Sequence, residues 1–258
     1  MSAARPGRAL IDYGRLLEVL GVEAELLATA VHGQRRERQV PACPGLNLGE
    51  TARHVGGMYR SVLRWLCDGQ EPGEVRPEPA PGQELSDFVR SGLGPLLGEL
   101  AAHDPAESCS TWWPEDMTHG FWRRRLAHET TVHRIDVQGA AGLPIDPVPE
   151  DVVIDGVDEV LSFWFGHRLP SMGVSGTRED TVAIHLADRV WLAGTGPDGC
   201  SARPATYEEA KSADALVTGT PTNLYLWLWG RASDRQVEAE GDADAVAQLW
   251  ALLRLATK

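Results

Sequence analysis

The chain has no window near the ~18 consecutive apolar residues that a membrane helix needs. A membrane-spanning protein is therefore not expected. The N-terminus, MSAARPGRALIDYG, lacks the apolar core of a signal sequence, so export is not expected either. Cysteine is scarce. Cys43, Cys67, Cys109 and Cys200 are far apart and form no CxxC pair, which excludes a sulfur-ligated zinc knuckle and a disulfide framework. A cytoplasmic location suits such a chain. Basic runs are equally rare, no longer than Arg35-Arg36 and Arg123-Arg124-Arg125, and the net charge is −13. Such a surface repels phosphate backbones and anionic lipid, so neither nucleic acid nor a membrane is an expected partner. No internal repeat is visible.

What remains is 258 residues with 43% hydrophobic side chains, enough for a real core in one or two domains. The first half carries helical spacing. Leu16, Leu17, Leu20, Ala24, Leu27 and Val31 mark one face of a helix over about 10–32. A second helix starts after Pro44-Gly45 and runs to about Leu66, with Asn47 and Glu50 spaced as a capping box. The stretch 68–83 is rich in Pro, Gly and Glu and reads as a surface loop. A third helix spans about 85–102, made irregular by Gly92, Gly94 and Pro95. A fourth spans about 119–141. Four helices with moderate connections predict an up-and-down bundle over residues 1–145. The segment GLPIDPVPE, with three prolines in nine residues, reads as a linker. Residues 151–258 read as a smaller α+β domain: a helix over 151–167, strands at 181–187, 190–193, 213–217 and 237–240, a short helix at 223–230 and a closing helix at 243–256. The expected chain is thus a two-domain protein, α followed by α+β, monomeric or a small homo-oligomer.

The fourth helix carries the chemistry. Trp122, Leu126, Glu129, His133, Val137 and Ala140 fall on one stripe, mostly apolar, with a carboxylate and an imidazole at its centre. An ionised carboxylate in a core needs a compensating cation. Glu and His four residues apart can share one metal ion, and bundle helices commonly supply ligands in this way. His54 sits mid-helix beside the apolar face of the second helix and is the natural third donor. Two imidazoles and a carboxylate suit Zn²⁺ with one position open, while nickel, iron or cobalt also fit the set. The plainer alternative stays open: a hydrogen-bonded core histidine, with Glu129 paired to Arg125 on the helix surface. Asp136 is placed to orient the His133 ring or to meet an arginine. Cys43 is a buried thiol or a nucleophile, and Trp112, Trp113, Phe121 and Trp122 line a pocket or fill a core. His128 points away from the stripe.

Three segments resemble a known family. VPACPGLNLGETARHVGGMYR and WRRRLAHETTVHRIDVQGAAG resemble the two helical signatures of the DinB-like, mycothiol-dependent maleylpyruvate isomerase family. ADALVTGTPTNLYLWLWGRASDRQVEAEGD is similar to the C-terminal domain of that family. Leu46 departs from the pattern, where relatives often carry Trp. The resemblance implies a four-helix bundle followed by an α+β domain resembling sterol carrier proteins. It implies metal ligands at His54, Glu129 and His133, the residues chosen above on physical grounds, and a catalytic arginine at Arg231. It also implies mycothiol, a small thiol, as cosubstrate and a small electrophile as substrate, in a transferase or isomerase reaction. Two alternatives remain beside it: a metal-dependent hydrolase acting through water, and a non-catalytic metal- or thiol-binding protein.

Overall fold

The computed structural model describes residues 8–73 and 77–257. The first seven residues of the terminus read above for a signal, and residues 74–76 of the predicted loop, lie outside them. The described residues form two compact units, 11–147 and 148–257, the second including residues 8–10.

The first unit is four helices: α1 (Tyr13–Val31), α2 (Leu48–Asp68), α3 (Leu85–Ala102) and α4 (His119–Ala141). Their ends are written in the sequence. Asp12 accepts from the Gly14 and Arg15 amides at the start of α1. Asn47 and Glu50 form the expected capping box on α2, and Gly69 closes that helix in the left-handed conformation. Thr118 caps α4, and Gly142 ends it with φ 69°. The α3 helix continues through Pro95 to Ala102. Leu16, Leu20 and Leu27 of α1, Val55 and Tyr59 of α2, Phe88 and Leu96 of α3, and Trp122, Leu126 and Val137 of α4 form the core.

One expectation changes in kind. The α4 helix is buried around most of its circumference, and Arg123, Arg124, Arg125, His128 and Arg134 are all buried with it. Each charged group for which partners are seen has a specific one. Arg134 pairs with buried Glu23 at 2.6 Å, and Arg123 donates to the carbonyls of Leu100 and His103 at the end of α3. An apolar stripe was the visible signal, but polar neighbours on the other faces are buried too because they are paired.

The second unit begins with α5 (Glu150–Glu159), which widens into a π-helical segment (Val160–Arg168) and a last turn, α6 (Leu169–Ser171). A single regular helix over 151–167 was the expectation; the wider winding is a local feature that apolar spacing does not encode. A five-stranded mixed sheet follows, in the order β3-β2-β1-β4-β5. Its strands are β1 (Asp180–Leu186), β2 (Arg189–Gly196), β3 (Gly199–Ala205), β4 (Ala215–Thr218) and β5 (Glu238–Gly241), with α7 (Tyr207–Ala210) between β3 and β4. Only the β1–β4 pair is parallel. Helices α8 (Pro221–Leu228) and α9 (Ala243–Ala256) supply Leu224, Trp227, Leu249 and Leu253 to the core beside Val182, Ile184 and Val217. Trp191 on β2 donates to Asp158 on α5 at 2.8 Å, which ties the sheet to the first helix of this unit.

Candidate metal centre

Facing positions of α2 and α4 bring His54, Glu129 and His133 together. The Oε1 of Glu129 lies 2.8 Å from His54 Nε2 and 3.1 Å from His133 Nε2. The two imidazole rings stand 5.0 Å apart at 74°. One donor atom from each residue falls within 4.8 Å of the others. The cluster is half-buried, with His54 its most accessible side chain at 27% exposure and Glu129 and His133 at 12%.

Further contacts hold this arrangement. Arg125, fully buried one turn before Glu129, donates from Nη2 to Glu129 Oε2 at 2.8 Å. The expected surface ion pair is thus an internal one, and it leaves Oε1 for the histidines. Asp136 Oδ2 lies 3.1 Å from His133 Nδ1, as foreseen for an orienting carboxylate. The Cys43 thiol donates weakly to the same oxygen at 3.7 Å. Tyr59 and Thr130 bond through their hydroxyls at 2.8 Å beside the cluster.

The electrostatics follow from these contacts. Burial opposes the charge on Glu129, yet the His133 charge, hydrogen bonds from both histidines and Arg125 outweigh it and hold the carboxyl well below its ordinary range. Burial likewise opposes the His133 cation, but Glu129 and Asp136 push it up to about 9. Carboxylates thus stand at both ring nitrogens of His133 and favour its charged form.

The donor set fits a divalent cation. Two imidazoles and one carboxylate are borderline and hard ligands of the kind Zn²⁺ takes in sites that keep an open position. His54, Glu129 and His133 would hold such a cation, and Asp136 would steady the His133 ring through Nδ1.

His128 is fully buried in α4 and is not among the converging donors. Trp112 and Trp122 pack edge to face with Trp65 and with each other, centroids of the latter pair 5.0 Å apart, and Phe121 packs edge to face with both. They form a packed cluster. Arg231 belongs to the second unit, just beyond α8, where it donates to the Trp229 carbonyl. Arg125 is the functional residue that sequence spacing undervalued; its signal was the i, i+4 relation to Glu129.

Both units are similar to known protein domains. The model of the mycothiol maleylpyruvate isomerase N-terminal domain matches residues 19–138. That of the corresponding C-terminal domain matches residues 151–248. The fold is similar to the crystal structure of the mycothiol-dependent maleylpyruvate isomerase, at 13% identity over 91% of this chain and 96% of that one, with a TM-score of 0.59. A histidine-to-alanine mutant of that enzyme aligns over the same shares at 12% identity and a TM-score of 0.60. No curated protein sequence matches. With both domain models together spanning most of its length, the chain belongs to the mycothiol maleylpyruvate isomerase family, a family of enzymes.

Proposed function

We propose that the protein is a metal-dependent, mycothiol-using transferase or isomerase whose metal, zinc by preference, is held by His54, Glu129 and His133. The observation that carries this reading is the convergence of these three donors within 4.8 Å, inside the segment that matches the family's N-terminal domain. We assign residues 1–145 as the metal-binding bundle and 151–258 as the family's C-terminal domain.

A free thiol has a pKa of about 8.5 and attacks only as thiolate, and a bound divalent metal supplies the positive charge that keeps a thiol deprotonated at neutral pH. The chain's own residues prepare the site for it. Arg125 anchors one Glu129 oxygen and fixes the direction of the other. Asp136 sets the His133 tautomer. His54, the most exposed of the three, lies on the solvent side, where a small thiol and an electrophile can enter. Arg231 is the candidate for binding a substrate or thiol carboxylate, a task its planar fork suits.

The test uses purified full-length protein. Elemental analysis is expected to show metal lost in His54→Ala and Glu129→Ala. Calorimetry is expected to show mycothiol binding to the metal-loaded protein alone. Conversion of a maleyl-type electrophile that requires both metal and mycothiol would support the reading. A metal content of the double variant equal to that of wild type, or no mycothiol binding by loaded protein, sinks it.

A further inference from the structure

The bundle holds a second group of imidazoles and carboxylates, about ten residues from Glu129 along α4 and thus roughly 15 Å away along the helix axis. His103 follows the last turn of α3, Glu107 lies in the connection to α4, and His119 is the first residue of α4. One donor atom from each falls within 4.8 Å of the others. We propose that His103, Glu107 and His119 form a second Zn²⁺ site, one that ties the α3–α4 connection to the helix ends it joins.

Four observations carry this. First, the backbone prepares the site. The Glu107 carbonyl accepts from the His119 amide at 3.0 Å, and the Pro105 carbonyl accepts from the Gly120 amide at 2.8 Å. The Ser108–Thr118 bridge closes the connection behind them. Glu107 and His119 are therefore held together before any ligand arrives.

Second, His103 is flanked as a metal-binding histidine is. Glu107 Oε1 lies 3.0 Å from its Nδ1, and Glu99 Oε1 lies 3.2 Å from its Nε2. A carboxylate on the far nitrogen fixes the tautomer that presents the other nitrogen to a cation. Third, His119 is 4% exposed, and its Nδ1 is buried with no hydrogen-bond partner among the described residues. A buried imidazole nitrogen lacking a partner is costly and calls for one. Fourth, the ring centroids lie 4.3 Å apart, stacked at 15°, so a turn of the more exposed His103 ring brings its in-plane lone pair toward that of His119.

The charge balance is favourable. Glu99 and Glu107 bring two negative charges against Zn²⁺. The nearby Arg123 guanidinium already donates to the Leu100 and His103 carbonyls. Donors of tetrahedral zinc stand about 3.4 Å apart, so modest side-chain rotation brings the three into range. Glu107 is half exposed and free to make it.

Zinc titration of chelator-stripped, full-length protein tests the idea. Wild type is expected to take two Zn²⁺ per chain, and His54→Ala, His103→Asn and Glu107→Gln to take one each. His54→Ala/His103→Asn is expected to take none. His103 and Glu107 are partly exposed, so their conservative variants keep the fold, which circular dichroism checks. Amide exchange across 104–118 is expected to slow with zinc in wild type and in His54→Ala, and to be unchanged in Glu107→Gln. One zinc in His54→Ala that disappears in His54→Ala/His103→Asn upholds the site even if His54 binds nothing. A wild-type stoichiometry unaltered by His103→Asn and Glu107→Gln overturns it, and leaves His103 as an imidazolium bridging two carboxylates.

Discussion

Glu129 shows how a single residue is placed between opposing forces. Its surroundings remove water, which disfavours charge, and supply Arg125 and two imidazoles, which favour it more. Asp136 then acts on the same centre through His133. Replacing it with Asn keeps the shape but weakens the acceptor that fixes the ring. Asp136→Asn is expected to weaken zinc binding about 10–100-fold, a typical loss for an orienting partner, with the fold unchanged. Calorimetric zinc titration checks this, and equal affinity in the variant would remove Asp136 from the centre. The protein's own thiols are expected to differ in reactivity. Burial, with the charges of Asp116 and Glu107, pushes Cys109 up to about 12, so at pH 8 its thiolate fraction is on the order of one in ten thousand. Exposed Cys67 is therefore expected to be alkylated by iodoacetamide well before Cys109, read by peptide mass spectrometry. Cys109 modified at a comparable rate would contradict that. At this scale the sequence was informative where chemistry and spacing coincide. Glu129 and His133 share one helix face, and His54 was the only mid-helix histidine of the first three helices beside an apolar face. His103 and His119 sit at helix ends across a connection, where no periodicity relates them, so their meeting was not legible. Nor was the burial of Arg125, because an arginine next to a carboxylate reads alike on a surface and in a core.

Helix termini were the most legible elements because their signals are local. The Asn47–Glu50 capping box is a contact between residues three apart, and it forms as read. Asn47→Ala is expected to cost about 1 kcal/mol, measured by urea unfolding. A cost near zero would mean that α2 is held by tertiary packing alone. Close helix approach was harder to foresee. Gly56 on α2 faces Phe88 on α3, and a Cβ there would stand 2.6 Å from the ring. Gly56→Ala is therefore expected to destabilise the bundle by roughly 1–3 kcal/mol, although alanine is the better helix former. Stabilisation in the same urea assay would refute the contact. In the second unit, β1 was read from its alternation, whereas β3 escaped. Its sequence, Gly-Cys-Ser-Ala-Arg-Pro-Ala, has one buried side chain and a proline, as an edge strand tolerates. Its pairing with β2 is decided by register, Gly196 opposite Gly199 through Val190 opposite Ala205, and not by an apolar pattern.

For the whole molecule, the division into two units decides where metal binding has its effect. His54, Glu129 and His133 all lie within residues 11–147. An ion that binds their folded arrangement and not the unfolded chain adds its binding free energy to the stability of that unit. At a free zinc concentration 100 times the dissociation constant the gain is about 2.7 kcal/mol. For a unit of this size that raises its melting temperature by roughly 5–10 °C. Differential scanning calorimetry of the full chain, with zinc and then with excess chelator, is expected to show that shift in the helical unit. Glu129→Gln is expected to remove the share of the rise that this centre contributes, since the uncharged amide no longer offers the anionic donor. Buried Arg125 then loses its carboxylate, so the metal-free variant is also expected to melt below metal-free wild type. The two effects separate by ligand dependence. Loss of the ion pair lowers stability with or without zinc, whereas loss of the site abolishes only the zinc-induced rise. A full zinc-induced rise in Glu129→Gln would show that the stabilising ion sits elsewhere, and the His103→Asn variant in the same calorimeter would then identify the second cluster as its place.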